Sequence, residues 1–122
     1  MTGWFERYAV AFDAFDADAL SGFFVAPCLM VSEQAGAVFL RDEDAVRSNM
    51  TALCDYHRAS GYERALVRAL QVREASPSCR FATVDWRIER QAAAAWDFTN
   101  TYQLVQRSGE WRVLVSTTHG SA

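Results

Sequence analysis

The stretch WDFTNTYQLVQRSGEWRVLVSTT, residues 96–118, decides the fold of this chain. Apolar and polar side chains alternate from Trp96 to Val105 and again from Trp111 to His119, and the tetrapeptide RSGE at 107–110 separates the two runs. Alternation with a period of two is typical of strands that bury one face, and a short glycine-containing break is typical of a hairpin. We therefore predict two long antiparallel strands joined by a tight turn.

Two further strands are predicted before this hairpin. Residues 80–89 alternate clearly, and their apolar face comprises Ala82, Val84, Trp86 and Ile88. Residues 63–75 alternate less strictly, and their alanine, leucine and arginine content also suits a helix. We interpret them as a strand because the turn signal Ser76-Pro77-Ser78 and a clear strand follow directly.

The first half of the chain has helical periodicity. Residues 2–15 carry one apolar stripe at three- and four-residue steps, with Thr2 as a possible cap; the stripe comprises Trp4, Phe5, Tyr8, Phe12 and Phe15. A short second helix is predicted over residues 18–24, capped by Asp16 or Asp18 and ended by Pro27.

A small hairpin and a third helix complete this half. The apolar runs at 28–32 and 37–40 flank Gly36, which favours a turn there. Asp42 is a plausible cap for a helix that ends near Gly61. Its apolar face comprises Val46, Met50, Leu53, Cys54 and His57. Helices followed by long strands predict one α+β domain over residues 1–122, with a curved antiparallel or mixed sheet wrapped around the helices.

Composition excludes several classes of function. The formal net charge is −3 without a basic stripe, which argues against nucleic-acid binding, and no apolar run reaches the ~20 residues of a membrane span. The N-terminal residues do not resemble a signal peptide. Cys28, Cys54 and Cys79 lack zinc-site spacing, so we expect reduced thiols, no metal and a cytoplasmic protein.

The order of elements resembles the nuclear transport factor 2-like, cystatin-like fold, a cone-shaped α+β fold that includes the SnoaL-like polyketide cyclases and ketosteroid isomerase. The similarity is carried by hydrophobic patterns at residues 7–12, 18–20, 23–24 and 27–31, and by Gly109-Glu110-Trp111-Arg112-Val113 near the end. It covers essentially the whole chain. Such patterns indicate a fold and do not specify an activity.

The resemblance implies a pocket between the first helix, the third helix and the concave face of the sheet. Tyr8 matches the tyrosine that donates to the oxyanion in ketosteroid isomerase. The general-base aspartate of that enzyme falls on Ser32, with Glu33 beside it pointing away, and its protonated aspartate falls near Asn100 or Tyr102. Both acids are therefore missing, which disfavours steroid isomerisation by that mechanism.

Strand alternation assigns a set of residues to the face that looks toward the first helix. A mostly apolar face with a few polar tips suits a small-molecule pocket, and it suits a filled core equally well. The predicted pocket residues are Tyr8, Phe12, Met30, Ser32, Val84, Trp86, Phe98, Asn100, Tyr102, Val115, Thr117 and His119.

Three of these residues are candidates for catalysis: Tyr8 and Asn100 to polarise an oxygen, and His119 to move a proton. A solvated histidine is the simpler interpretation of His119. The other histidine, His57, is interpreted as a helix-end residue.

Two functions remain open from the sequence. The first is binding of a small apolar molecule, with possible cofactor-free isomerase, cyclase or hydrolase chemistry. The second is a non-catalytic binding or protein-interaction module with a filled cone. We also expect a homodimer through the outer sheet face, whose predicted contacts are Thr99, Thr101, Gln103, Val105 and Leu114.

Overall fold

The computed structural model of the protein describes residues 1–121. Three helices are present: α1 (Thr2–Asp13), α2 (Ala17–Ser21) and α3 (Glu43–Ala59). Asp16 caps α2 and Asp42 caps α3, each by accepting a hydrogen bond from a backbone N–H three residues later, at 3.1 and 2.8 Å. Both caps confirm the prediction.

Two predicted helix boundaries are wrong. Met1 precedes the first turn of α1, and no side chain caps that end, so Thr2 is not the cap. Helix α2 ends at Ser21 with Gly22 after it, and Pro27 lies further on, inside the first strand. The chain leaves the helix early because residues 23 onward pair with the sheet: Val113 N–H donates to the Phe23 carbonyl at 2.8 Å.

Six strands form one sheet in the order β2-β1-β6-β5-β4-β3. All neighbours are antiparallel except β1 and β6, so the sheet is mixed. The α+β architecture and the curved sheet confirm the predicted fold class. The strands are β1 (Phe24–Ser32), β2 (Gly36–Leu40), β3 (Tyr62–Ser76), β4 (Cys79–Arg90), β5 (Trp96–Arg107) and β6 (Glu110–Ser121).

The ambiguous stretch at 63–75 is a strand, as predicted. It lies within β3 and pairs along its whole length with β4. The turn between β5 and β6 is also confirmed, since Arg107 pairs with Glu110 around Ser108 and Gly109. Both turn residues have positive φ, 51° and 80°, as a two-residue turn that follows the twist of its strands requires.

The core lies between α1 and the concave face of the sheet. Tyr8 of α1 and Trp86 of β4 are both at least nine-tenths buried, and their ring centroids are 6.2 Å apart. Phe5 is fully buried and lies 5.1 Å from the ring of Tyr102 on β5. Aromatic burial of this extent stabilises the fold by about 1.5–3 kcal/mol per side chain. The apolar stripe of the first helix therefore meets the alternating strands as predicted.

An irregularity in β6 changes which of its residues lie on the inner face of the sheet, so part of the prediction for this strand is wrong. Leu104 pairs with Val113 and Gln103 pairs with Val115, which leaves Leu114 as an extra residue, a β-bulge. Beyond a one-residue bulge every side chain changes face. Val115, Thr117 and His119 therefore lie on the outer face of the sheet, and their predicted position on the inner face is wrong. Ser116 and Thr118 occupy the inner face instead.

Within residues 1–121, none of the helices combines the length and apolar character needed to cross a membrane.

Candidate functional site

A cavity of about 330 Å³ lies between α1, α3 and the concave face of the sheet. Its lining includes eight of the twelve predicted pocket residues: Tyr8, Phe12, Met30, Ser32, Trp86, Phe98, Asn100 and Tyr102. The lining is buried at Trp86 and Tyr102, and it is partly exposed at Val38 of β2 and at Asn49 and Leu53 of α3. We therefore place the opening between the β1–β2 hairpin and α3.

The other four predicted residues lie outside the cavity. Val84 shares the face of Trp86, but it is fully buried in the core. Val115, Thr117 and His119 are on the outer face because of the bulge in β6. There the Nε2 atom of His119 lies 2.6 Å from the Thr101 hydroxyl, which in turn lies 3.1 Å from the Thr83 hydroxyl.

Two buried phenols border the cavity at α1. The indole N–H of Trp86 donates to the Tyr102 hydroxyl at 2.9 Å, and the rings of Tyr8 and Tyr102 lie 6.1 Å apart. Burial, and then the neighbouring Tyr102, raise the pKa of Tyr8 well above its ordinary value of 10. Burial also raises the pKa of Tyr102. Both phenols are therefore neutral near physiological pH and keep their hydroxyl hydrogens.

A second polar group lies where β5 meets β6. The side-chain amide of Asn100 donates to the Ser116 hydroxyl at 2.9 Å, and the Thr118 hydroxyl donates to Asn100 Oδ1 at 2.6 Å. All three residues line the cavity. These bonds use one amide hydrogen of Asn100 and the hydroxyl hydrogen of Thr118, so the second amide hydrogen and the Ser116 hydroxyl hydrogen are left for a ligand.

His57 of α3 also lines the cavity. Its side chain is 7% exposed and packs against the rings of Phe12, Tyr62 and Trp96, with centroids 5.8, 5.2 and 6.3 Å away. Burial lowers the pKa of this imidazole below 6.5, so the ring is neutral at pH 7. His57 lies in the last turn of α3, so its interpretation as a helix-end residue holds, and its buried ring also faces the cavity.

The described lining contains no Asp, Glu, Lys or Arg side chain. In the same residues 1–121, no three His, Cys, Asp or Glu side chains group together to hold a metal ion. Ser32, at the position of the isomerase base, accepts a hydrogen bond from the Ala35 backbone at 3.1 Å and shapes the β1–β2 turn. A charged molecule in this cavity would lose its hydration without gaining a countercharge.

Sequence reasoning missed several lining residues, and only some of them carried a signal in the sequence. His57 and Leu53 lie on the apolar face of α3 that the helical periodicity predicts. Their position in the lining could therefore have been inferred from the sequence. Ser116 and Thr118 carried no such signal, because only the pairing of β6 with β5 reveals the bulge. The remaining lining residues that were not predicted are Val31, Ala35, Val38, Asn49, Ala65, Ile88 and Trp96.

The family model described as "NTF2-like protein (DUF6841)" matches residues 1–121. The chain belongs to this family. The predicted membership in the nuclear transport factor 2-like superfamily is confirmed. None of the curated protein sequences is similar to the chain.

Solved structures share the fold at low sequence identity. A protein of unknown function from Mycobacterium tuberculosis superposes with a TM-score of 0.76 at 16% identity, covering 97% of this chain and 68% of that one. An NTF2-like protein of unknown function from Shewanella oneidensis gives 0.75 at 13% identity, covering 96% and 93%. A putative scytalone dehydratase from Novosphingobium aromaticivorans gives 0.71 at 11% identity, covering 99% and 83%. At these identities the likeness concerns the fold alone.

Proposed function

We propose that the protein binds a small, neutral, largely apolar molecule in the cavity between α1, α3 and the sheet. The observation that carries the proposal is the lining itself: apolar and aromatic walls, no acidic or basic side chain, and hydrogen-bond donors left over at Asn100 and Ser116. Pockets for small molecules combine these features, with a few polar groups that fix the orientation of the ligand.

The volume of the cavity favours this function over a filled interaction module. A core packed to the usual density leaves few voids larger than a water molecule, and small-molecule pockets begin at roughly 300 Å³. A cavity of 330 Å³ has room for a ligand about the size of two fused aromatic rings.

Cofactor-free proton transfer is the chemistry that this lining supports best, if the bound molecule is also converted. The neutral phenol of Tyr8 would donate to an oxygen of the ligand, and Asn100 would donate from the other wall. A carboxylate base of the ketosteroid isomerase kind has no candidate in the lining. The predicted proton carrier, His119, lies outside the cavity, whereas His57 lines it.

Calorimetric titration with a matched pair of probes tests the binding proposal. We expect 2-naphthol to bind, and naphthalene-2-sulfonate to bind at least tenfold more weakly, because its fixed charge finds no partner in the cavity. Val38→Trp, which places a large side chain in the lining, should abolish 2-naphthol binding.

Val72→Trp is the matched control for this titration. Val72 lies on β3, is 43% exposed and is not part of the lining. This variant should bind 2-naphthol like the wild type. Equal affinity for both probes, or unchanged binding in Val38→Trp, would refute the proposed site.

A further inference from the structure

His57 has unused hydrogen-bonding capacity in an otherwise satisfied interior. Every fully enclosed side-chain nitrogen and oxygen of the described, non-exposed residues has a hydrogen-bond partner. His57 is more than nine-tenths buried, yet neither ring nitrogen bonds another described residue, so at least part of its polar edge must border open space. The cavity is the space that His57 lines.

We propose that His57 is the specificity-determining residue of the cavity, and that it selects aromatic molecules carrying a hydroxyl group, which donates to its free ring nitrogen. This inference rests on the proposed function, because it names the class of ligand for the same site. A neutral imidazole has one nitrogen that only accepts a hydrogen bond. A ligand hydroxyl satisfies that acceptor, whereas the corresponding methyl ether has no hydrogen to donate.

The aromatic part of the ligand class follows from the walls beside His57. Trp96 and Phe98 lie with ring centroids 4.8 Å apart, and both line the cavity together with Phe12. Flat aromatic molecules pack against such walls by stacked and edge-to-face contacts. A ring held there brings a hydroxyl within reach of α3.

The groups around His57 leave its nitrogen free to accept. Phe12 of α1 and Trp96 of β5 do not titrate near neutral pH. Tyr62 of β3 donates its hydroxyl to Asp13 Oδ1 at 2.6 Å, so that carboxylate is engaged elsewhere. On α3 itself, the titratable and charged neighbours in sequence are Cys54, Asp55, Tyr56 and Arg58.

The two histidines of the chain form a natural pair of test and control. His57→Phe keeps a ring against its aromatic neighbours and removes both nitrogens. His119→Gln changes only the outer face of the sheet. A melting curve establishes that each variant is folded, and His57→Met serves as the second variant if His57→Phe does not fold.

The experiment compares 2-naphthol with 2-methoxynaphthalene by calorimetry at pH 7.5. We expect the ratio of their Kd values to shift by about tenfold against 2-naphthol in His57→Phe, because an unmade hydrogen bond leaves the buried hydroxyl unpaired. The ratio should be unchanged in His119→Gln. In the wild type the preference should also weaken as the pH falls through the lowered pKa of His57, because a protonated imidazole cannot accept a hydrogen bond.

The outcomes separate this inference from the proposed function. If both naphthalenes bind and their ratio is the same in wild type and His57→Phe, the assignment of His57 falls while the binding function stands. A ratio that changes in Ser116→Ala and not in His57→Phe would assign the hydroxyl to the opposite wall and also overturn it. If neither naphthalene binds, the proposed function itself fails.

Discussion

The imidazole of His57 sits in an environment that opposes its protonation. Four aromatic rings lie around it, those of Phe12, Tyr56, Tyr62 and Trp96, and burial lowers its pKa below the ordinary value of 6.5. In the unfolded chain the same side chain regains that ordinary value. Between the two pKa values the unfolded chain therefore binds more protons than the folded protein does.

This difference predicts a pH dependence of stability. The free energy of unfolding should be highest above pH 6.5 and should fall as the pH decreases through 6.5 toward the lowered pKa, by at most about 1.4 kcal/mol per pH unit from this one group. Urea unfolding at pH 5, 6, 7 and 8 measures this pH dependence of the unfolding free energy.

Comparing a His57 variant with the wild type isolates the contribution of His57 to the pH dependence of stability. His57→Gln should lose stability less steeply than the wild type below pH 6.5. An identical slope in wild type and His57→Gln would show that the folded protein does not oppose protonation of His57.

At the scale of elements, the end of α3 depends on a close approach of two backbone segments. Gly61 has φ +79°, its carbonyl accepts a hydrogen bond from Gln91 N–H at 2.7 Å, and a Cβ atom there would lie 3.1 Å from the Gln91 carbonyl oxygen. Gly36, in the β1–β2 turn, has φ +68° with nothing within 4 Å of such a Cβ atom. Both glycines adopt a positive φ, which disfavours other residues. Only at Gly61 would a Cβ atom also meet a close neighbour.

We therefore expect Gly61→Ala to destabilise the protein more than Gly36→Ala. The left-handed conformation costs each variant about 1–2 kcal/mol, and the contact with Gln91 adds to that cost in Gly61→Ala only. Equilibrium urea denaturation compares the two. An equal loss of unfolding free energy in the two variants would mean that the backbone at Gln91 can move to accommodate the added methyl group without an energetic penalty.

Many of the strands and helix caps were predictable from the sequence. The period of two in residues 80–89 and 96–118 was sufficient for β4, β5 and β6, and the acidic caps at Asp16 and Asp42 were correctly placed. The bulge at Leu114 was not predictable, because residues 111–119 alternate without interruption and the extra residue exists only relative to β5. For the same reason the polar wall of Ser116 and Thr118 was missed, whereas Tyr8, Asn100 and the aromatic lining other than Trp96 were found.

At the scale of the whole molecule, the outer face of the sheet presents a continuous row of side chains across the strands. Phe39, Leu29, Val115, Gln103 and Phe81 are register partners in succession from β2 to β4. Phe39 is 64% exposed, and the other four are half-buried. We propose that two copies of the chain associate through this face.

Light scattering at micromolar concentration should then give twice the 13.7 kDa mass of one chain. Val115→Lys, in the middle of the row, should shift the mass toward the monomer because it buries an unpaired charge. Val72→Lys, on an exposed part of β3, should not. A wild-type protein that is monomeric under these conditions excludes the dimer.

The proposed function requires that the cone formed by α1, α3 and the sheet is hollow and accepts a neutral molecule. The most direct measurement is a crystal structure of the protein grown with 2-naphthol. We expect the naphthalene rings to lie in the cavity beside Trp96 and Phe98, with the hydroxyl oxygen within hydrogen-bond distance of His57. A structure in which these aromatic side chains have closed the cavity, with the naphthol bound elsewhere or not at all, would contradict the proposed function.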